Sequence, residues 1–295
     1  MITIFAPDGI GEVGAGADLA TLVIDAVGQH SQGPLRDGDI AVITSKIVSK
    51  AEGRRLPATE RRQAIAEETG RTVAYRGGTR IVRTRIGLTI AAAGVDRSNI
   101  DQASILLLPA DPDASAGRLR DEVAQRTGRT VGVIISDTAG RPWRIGQTDH
   151  AIGAAGVRVV ERFAGQNDHY GNALSVTAIA VADEIAAAAE LAKGKLDGRP
   201  LAVVRGLGRL VMDTGDNARS MLRDPSLDLF AYGSREAVLA AALAATDQQD
   251  RYEELVELDQ PELVQEVVAG SGLSGEAADL LRGMLTAKSP RSRSA

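Results

Sequence analysis

The segment VGVIISDTAGRPWRIGQTDH (131–150) concentrates chemistry-bearing side chains behind an apolar run. Asp137 and Thr138 follow Ile135 and Ser136 directly, and Arg141, Arg144, Asp149 and His150 come within the next twelve positions. A carboxylate at the end of a buried strand suits a hard cation such as magnesium or manganese, and a guanidinium fork suits phosphate or carboxylate. Asp137 could instead be a simple cap, but that leaves Arg141, Arg144 and Asp149 unexplained. Desolvating so many charges beside a core strand is costly unless they meet ligands or one another. A ligand site is therefore expected here, with Trp143, the chain's only Trp, in its midst.

Other stretches offer weaker chemistry. Gly9, Gly11 and Gly14 spell GxGxxG, a spacing that lets backbone amides approach phosphate. The strand expected at Ile40–Thr44 ends in Ser45 and Lys46, however, not in the acid that would hold a ribose. A Rossmann oxidoreductase is thus a minor alternative. Lys46 and Lys50 could meet phosphate as point charges or simply be solvated. Asp96 and Asn99, three apart, could serve a cation and a nucleotide, or form an Asx turn. The acids Asp183 and Glu184 and the lysines Lys193 and Lys195 fit the two ends of a helix dipole. The three histidines show no metal-ligand spacing, and no GxxxxGK[ST] occurs.

These residues need a globular scaffold to position them. The 295-residue chain is 44% hydrophobic but only 3% aromatic, so its core must be built from Ala, Val, Leu and Ile. A net charge of -5 argues against general nucleic-acid binding. Without cysteine, thiolate catalysis and disulfides are excluded. No apolar stretch approaches the ~18 residues of a membrane span, and no secretory leader is visible, so the cytoplasm is the expected compartment.

Strands are expected near residues 2–5, 40–44, 80–93 (two, around a turn), 105–108, 131–135 and 201–205. Helices are expected near 17–27, 59–70, 115–127 (closed by Gly128) and 181–193. Several strands suit hairpins better than βαβ units, which points to an α+β class with mixed, largely antiparallel sheets and flanking helices. From about Ser234 the pattern becomes wholly helical, giving a catalytic domain over 1–232, a helical appendage over 233–288 and a solvated tail over 289–295.

Taken in order, DGDIAVITSKIVSKAEGR, AAAGVDRSN, LLPADPDASA, VIISDTAGRPWRIGQTDHAIGAAG, DHYGNAL and VADEIAAAAELAKGK resemble the coenzyme F420:L-glutamate ligase family over roughly residues 1–232. The likeness is to the ligase half of the actinobacterial two-domain form. It implies GTP-dependent addition of L-glutamate to coenzyme F420-0, with γ-linked extension of the tail, through an acyl phosphate. It also implies one or two magnesium or manganese ions, potassium, and a homodimer. Carried onto this chain, GTP is expected at Ile10, Gly11, Glu12, Val13, Ser45, Lys46, Lys50, Asn99, Lys193, Gly194 and Lys195. The first cation falls on Asp96 and Asp137, and the second on Thr138, although a protonated Lys195 stands where a cation ligand would be wanted. Arg141 and Arg144 are assigned to the anionic substrate. The region after Tyr232 does not resemble the flavin-binding half, so no flavin is expected, and neither a nucleic-acid nor a membrane partner. Two alternatives stay open: ligation to another carboxylate acceptor on the same scaffold, and a nucleotide-binding regulatory module.

Overall fold

The computed structural model describes residues 1–287. The expected tail, 289–295, lies outside the described residues. In chain order the strands are β1 (Thr3–Phe5), β2 (Ile40–Thr44), β3 (Arg55–Pro57), β4 (Thr69–Arg76), β5 (Thr79–Thr84), β6 (Thr89–Ala91), β7 (Ser104–Leu106), β8 (Gly132–Arg141), β9 (Arg144–Ala155), β10 (Glu161–Arg162), β11 (Ala178–Ile179) and β12 (Leu201–Arg205). The α-helices are α1 (Leu19–Gln29), α2 (Ser45–Ala51), α3 (Arg61–Glu68), α4 (Pro112–Thr127), α5 (Val181–Lys193), α6 (Ser234–Ala245), α7 (Tyr252–Leu255), α8 (Gln260–Gly270) and α9 (Gly275–Thr286). The class is α+β, as expected.

The chain forms two compact units. One comprises Met1–Ala64 and Gly94–Arg223; the other takes Ile65–Ala93 together with the chain from Asp224 onward.

The first unit is organised by a five-stranded sheet in the order β1-β12-β2-β8-β9. Only β2 and β8 run parallel; every other neighbouring pair is antiparallel. That arrangement rules out a Rossmann unit, whose first two strands are parallel and joined through a helix. β2, the inner part of β8 and β12 are continuous apolar runs because they are covered on both faces. Val42, Ile134, Ala202 and Val204 pack with Val181, Ala182, Ile185, Ala186 and Ala189 of α5. The small side chains of α5 let it lie close to the sheet, which is how a core almost without aromatics is filled. Arg205 grips Asp39 through two bonds (2.9 and 2.8 Å), fastening β12 to the entry of β2.

Two local expectations need correction. The polar stretch after β2 is helical: α2 starts at Ser45, immediately where the strand ends. The polar stretch after Ile135 is strand: β8 continues to Arg141, turns at Trp143 and returns as the twelve-residue β9. Trp143 takes the turn with φ 61°, and at 80% exposure it does not wedge against the core.

In the second unit β4, β5 and β6 form an antiparallel sheet, and the helices α6 to α9 carry their own core of Leu239, Leu243, Leu255, Leu263, Val267 and Leu281. Among the described residues no helix is long and apolar enough to cross a membrane.

Candidate active site

Because β2 and β8 are parallel neighbours, their C-terminal ends open on the same edge of the sheet, with Thr44 opposite Ser136. The next residue on each chain is polar. Ser45 Oγ donates to Asp137 Oδ1 at 2.6 Å, so the start of α2 and the outer part of β8 are tied together. α2 then places Lys46 and Lys50 on one face, since residues four apart on a helix are neighbours. The glycine-rich segment after β1 is held against the far end of α2 by the bond from Gly16 N to Ala51 O (2.8 Å).

These elements enclose a cleft of about 390 Å³. Of the residues expected to meet ligands, Ile10, Gly11, Glu12, Lys46, Lys50, Asn99, Asp137, Thr138, Gly194 and Lys195 line it. Val13 and Ser45 do not: Val13 is buried in the core and Ser45 acts through Asp137. Asp96 is also absent from the lining. It forms the anticipated Asx turn, accepting from Arg97 N and Ser98 N through Oδ1 and from Ser98 Oγ through Oδ2. That turn delivers Asn99 to the cleft in a left-handed conformation (φ 58°), which Asn tolerates. Arg141 and Arg144 lie away from the cleft, paired across the hairpin end. Arg141 is four positions beyond Asp137, about 13 Å at ~3.3 Å per residue. Lys193 lies beneath the cleft instead of facing it, only 1% exposed.

Glu190 and Arg199 also line the cleft, as does Asp149, to which the sequence reading gave no individual role. Asp149 sits on β9 nearly opposite Asp137 and accepts from Ser136 Oγ (2.8 Å), Thr138 Oγ1 (2.7 Å) and Lys193 Nζ (2.9 Å). Only its place in the polar stretch signalled it. Its partner Lys193 is distant in sequence.

The electrostatics of the floor are uneven. Burial pushes the Asp137 carboxyl above its ordinary pKa, with Asp149 and Asp96 pushing the same way, against Ser45 and Lys46. Burial would also raise Asp96, but the bonds from Lys46 (2.7 Å) and Ser98 bring it down to about 2. Asp149 is likewise held below its ordinary value against burial, chiefly by Lys193. Lys46 in turn is raised, since Asp96, Asp137 and Asp149 together outweigh its burial. Asp137 is therefore the acid whose negative charge is least compensated.

That donor set fits a hard divalent cation at Asp137. Among the described residues no three Asp, Glu or His side chains are grouped tightly enough to enclose a metal alone. Magnesium commonly uses one or two carboxylates and completes its shell with water and substrate phosphates. Thr138 fits less simply, because the Lys195 ammonium already stands 2.9 Å from its hydroxyl. Asp96 could join a cation only if Lys46 withdrew from Oδ2.

The sequence matches the F420-0:Gamma-glutamyl ligase family over residues 9–70 and 57–206. Similar proteins include the coenzyme F420:L-glutamate ligase of Methanothermobacter thermautotrophicus, 40% identical over 251 residues, covering 78% of this chain and 98% of that protein. The protein of the same name from Archaeoglobus fulgidus is 38% identical over 225 residues, covering 70% and 88%. That from Haloarcula marismortui is 37% identical over 261 residues, covering 79% and 97%.

Proposed function

Since the chain belongs to the F420-0:gamma-glutamyl ligase family, we propose that it adds L-glutamate to coenzyme F420-0 at the expense of GTP, through an acyl-phosphate intermediate. It is a ligase that forms a carbon–nitrogen bond in the biosynthesis of coenzyme F420. The observation that carries the nucleotide part is the pairing, in one cleft, of an undercompensated carboxylate with four cationic side chains, Lys46, Lys50, Lys195 and Arg199.

Joining a carboxylate to an amine in water is uphill, so the acid is first activated. An acceptor carboxylate oxygen attacks the γ-phosphorus of GTP, the bond to the β-bridging oxygen breaks, and GDP leaves with that electron pair. The glutamate nitrogen then attacks the acyl carbon, expels phosphate and gives up a proton. Such transfer needs little covalent work from the protein, mainly positioning and neutralisation of charge. Lys46 and Lys50 lie on one face of α2 to offset phosphate charge, and Asn99 and the 10–12 backbone border the nucleotide. Asp137, and Asp96 once released by Lys46, would hold one divalent ion and Thr138 a second, and these would supply charge neutralisation at the phosphates. Arg141 and Arg144 stand far enough from Asp137 to meet a part of the acceptor remote from the reacting carboxylate.

A homodimer belongs to the same proposal. The β8–β9 hairpin end carries Trp143 and the fully exposed Ile145 beside the two arginines, a surface suited to a second copy.

The test is mass spectrometry of F420-0 incubated with the protein, GTP, manganese and glutamate. Added glutamyl mass with matching GDP release is expected, and the added mass must disappear when any component is omitted. Glutamate addition that proceeds equally well without GTP would sink the nucleotide assignment.

A further inference from the structure

Lys193 is among the largest fully buried side chains of the described residues. Its ammonium hydrogen-bonds Ser136 Oγ at 3.1 Å and Asp149 Oδ2 at 2.9 Å and is ion-paired with Glu190 Oε2 at 3.1 Å. An ammonium has three hydrogens and no acceptor, so toward these oxygens it can only donate. The consequence passes to Asp149. An ionised carboxylate accepts and cannot donate. Its Oδ2 takes Lys193 and Ser136, and its Oδ1 takes the hydroxyl of Thr138 at 2.7 Å. The Thr138 hydrogen must therefore point inward. On the other side of the same oxygen stands Lys195 Nζ, a pure donor at 2.9 Å, which requires the same orientation.

We propose that Lys193 and Asp149 are positioning residues: together they fix the Thr138 hydroxyl as an acceptor toward the cleft, where it serves a cation. In the free protein that cation is the Lys195 ammonium; with nucleotide present it would be the second divalent ion of the proposed reaction, on which this inference rests. Stability alone is a poor reason for the buried pair. Replacing a buried ion pair with apolar residues of similar size is often neutral or stabilising, whereas removing one partner is strongly destabilising. A pair that only held α5 to the sheet would have no need to end in a hydroxyl at the cleft surface.

The experiment uses the full chain and a cycle of variants. The single changes Lys193→Met and Asp149→Leu each strand a buried partner, so the double variant, which removes both the ammonium and the acceptor for Thr138, is the informative one, with Thr138→Val made on both backgrounds. Fold is followed by circular dichroism and Tm, and Mn²⁺ binding by electron paramagnetic resonance in the presence of GTP. The double variant is expected to stay folded while its Mn²⁺ affinity falls about 10–100-fold, the usual cost of losing an outer-shell partner. Thr138→Val should weaken binding in the parent but add nothing on the double background, because the hydroxyl is no longer oriented. A double variant that binds Mn²⁺ like the parent, or a Thr138→Val effect of equal size on both backgrounds, overturns the proposal.

Neutron diffraction from deuterated protein reads the same claim without metal or nucleotide. A deuteron on Thr138 Oγ1 directed at Asp149 supports it, and one turned away from Asp149 toward the cleft overturns it. If the parent fails to bind Mn²⁺ although the deuteron points at Asp149, the proposed reaction loses its cation. The action of Lys193 and Asp149 on the hydroxyl then stands.

Discussion

Lys46 Nζ lies 2.7 Å from Asp96 Oδ2 and within electrostatic reach of Asp137, so one ammonium answers two acids, one from a turn and one from strand β8. Replacing it with a neutral chain of similar length, Lys46→Met, leaves both acids without that cation and removes a charge from the phosphate path. A fall in kcat/KM for GTP on the order of 10²-fold is expected. Lys46→Arg should not restore it, because a planar fork does not reproduce a compact ammonium. Steady-state kinetics with varied GTP decides both.

Asp137→Asn separates function from stability. The folded protein holds the Asp137 proton more tightly than the unfolded chain does, because burial and the acids Asp149 and Asp96 disfavour the charge. A carboxyl raised in this way contributes stability at low pH and loses it as pH rises through its folded pKa, so at neutral pH the ionised form is a burden. The Asn variant should raise Tm without ligands while lowering turnover more than the roughly 10–100-fold typical of outer-shell changes. An unchanged or lower Tm would show that the charge is better compensated than its neighbours suggest.

Glu12 and Lys50 form an exposed-to-buried pair at 2.7 Å across the mouth of the cleft. The carboxylate competes for the ammonium with any incoming phosphate. Glu12→Gln is expected to leave Tm nearly unchanged and to tighten GTP binding about 1.4–5-fold, the equivalent of the ~0.2–1 kcal/mol of an exposed ion pair. Isothermal titration with a non-hydrolysable GTP analogue measures it; weaker binding would mean that Glu12 itself holds the nucleotide.

Asp18 caps α1, accepting from Thr21 N at 3.0 Å, and pairs with Arg126 at 2.6 Å. The bond from Arg126 and those from Thr21 lower its pKa to about 2. A depressed carboxyl contributes stability above its unfolded value and loses it on acidification, here between about pH 4 and about pH 2. Asp18→Asn should therefore lower Tm near neutrality and flatten its decline across that window, read by thermal circular dichroism at stepped pH.

Much of the fold was legible where one periodicity dominated. The strand Ile40–Thr44 was read to the residue, and the helix closed by Gly128 ends there with Gly128 in a left-handed cap. α2 escaped notice because SKIVSKA places β-branched Ile47 and Val48 side by side directly after a strand, and Thr44 offers no side-chain cap. β9 escaped because its outer half is polar; Asp149 sits in a strand only because Lys193, far along the chain, neutralises it. The same distance hid the site's floor. Sequence could place acids and lysines near strand ends, but only the parallel register of β2 and β8 brings Ser45 to Asp137. Likewise no local pattern marks Ile65–Ala93 as sharing a unit with the C-terminal helices, an association made by contacts far apart in sequence.

The hairpin end has one more use. Trp143 is the chain's only indole, and it stands mostly in water at the turn between β8 and β9. The protein's intrinsic tryptophan fluorescence is therefore a natural beacon on that turn, undiluted by any buried chromophore of the same kind. A blue shift and loss of iodide quenching as protein concentration rises would announce a second copy closing over it, and the same change on adding acceptor at fixed concentration would announce the substrate instead.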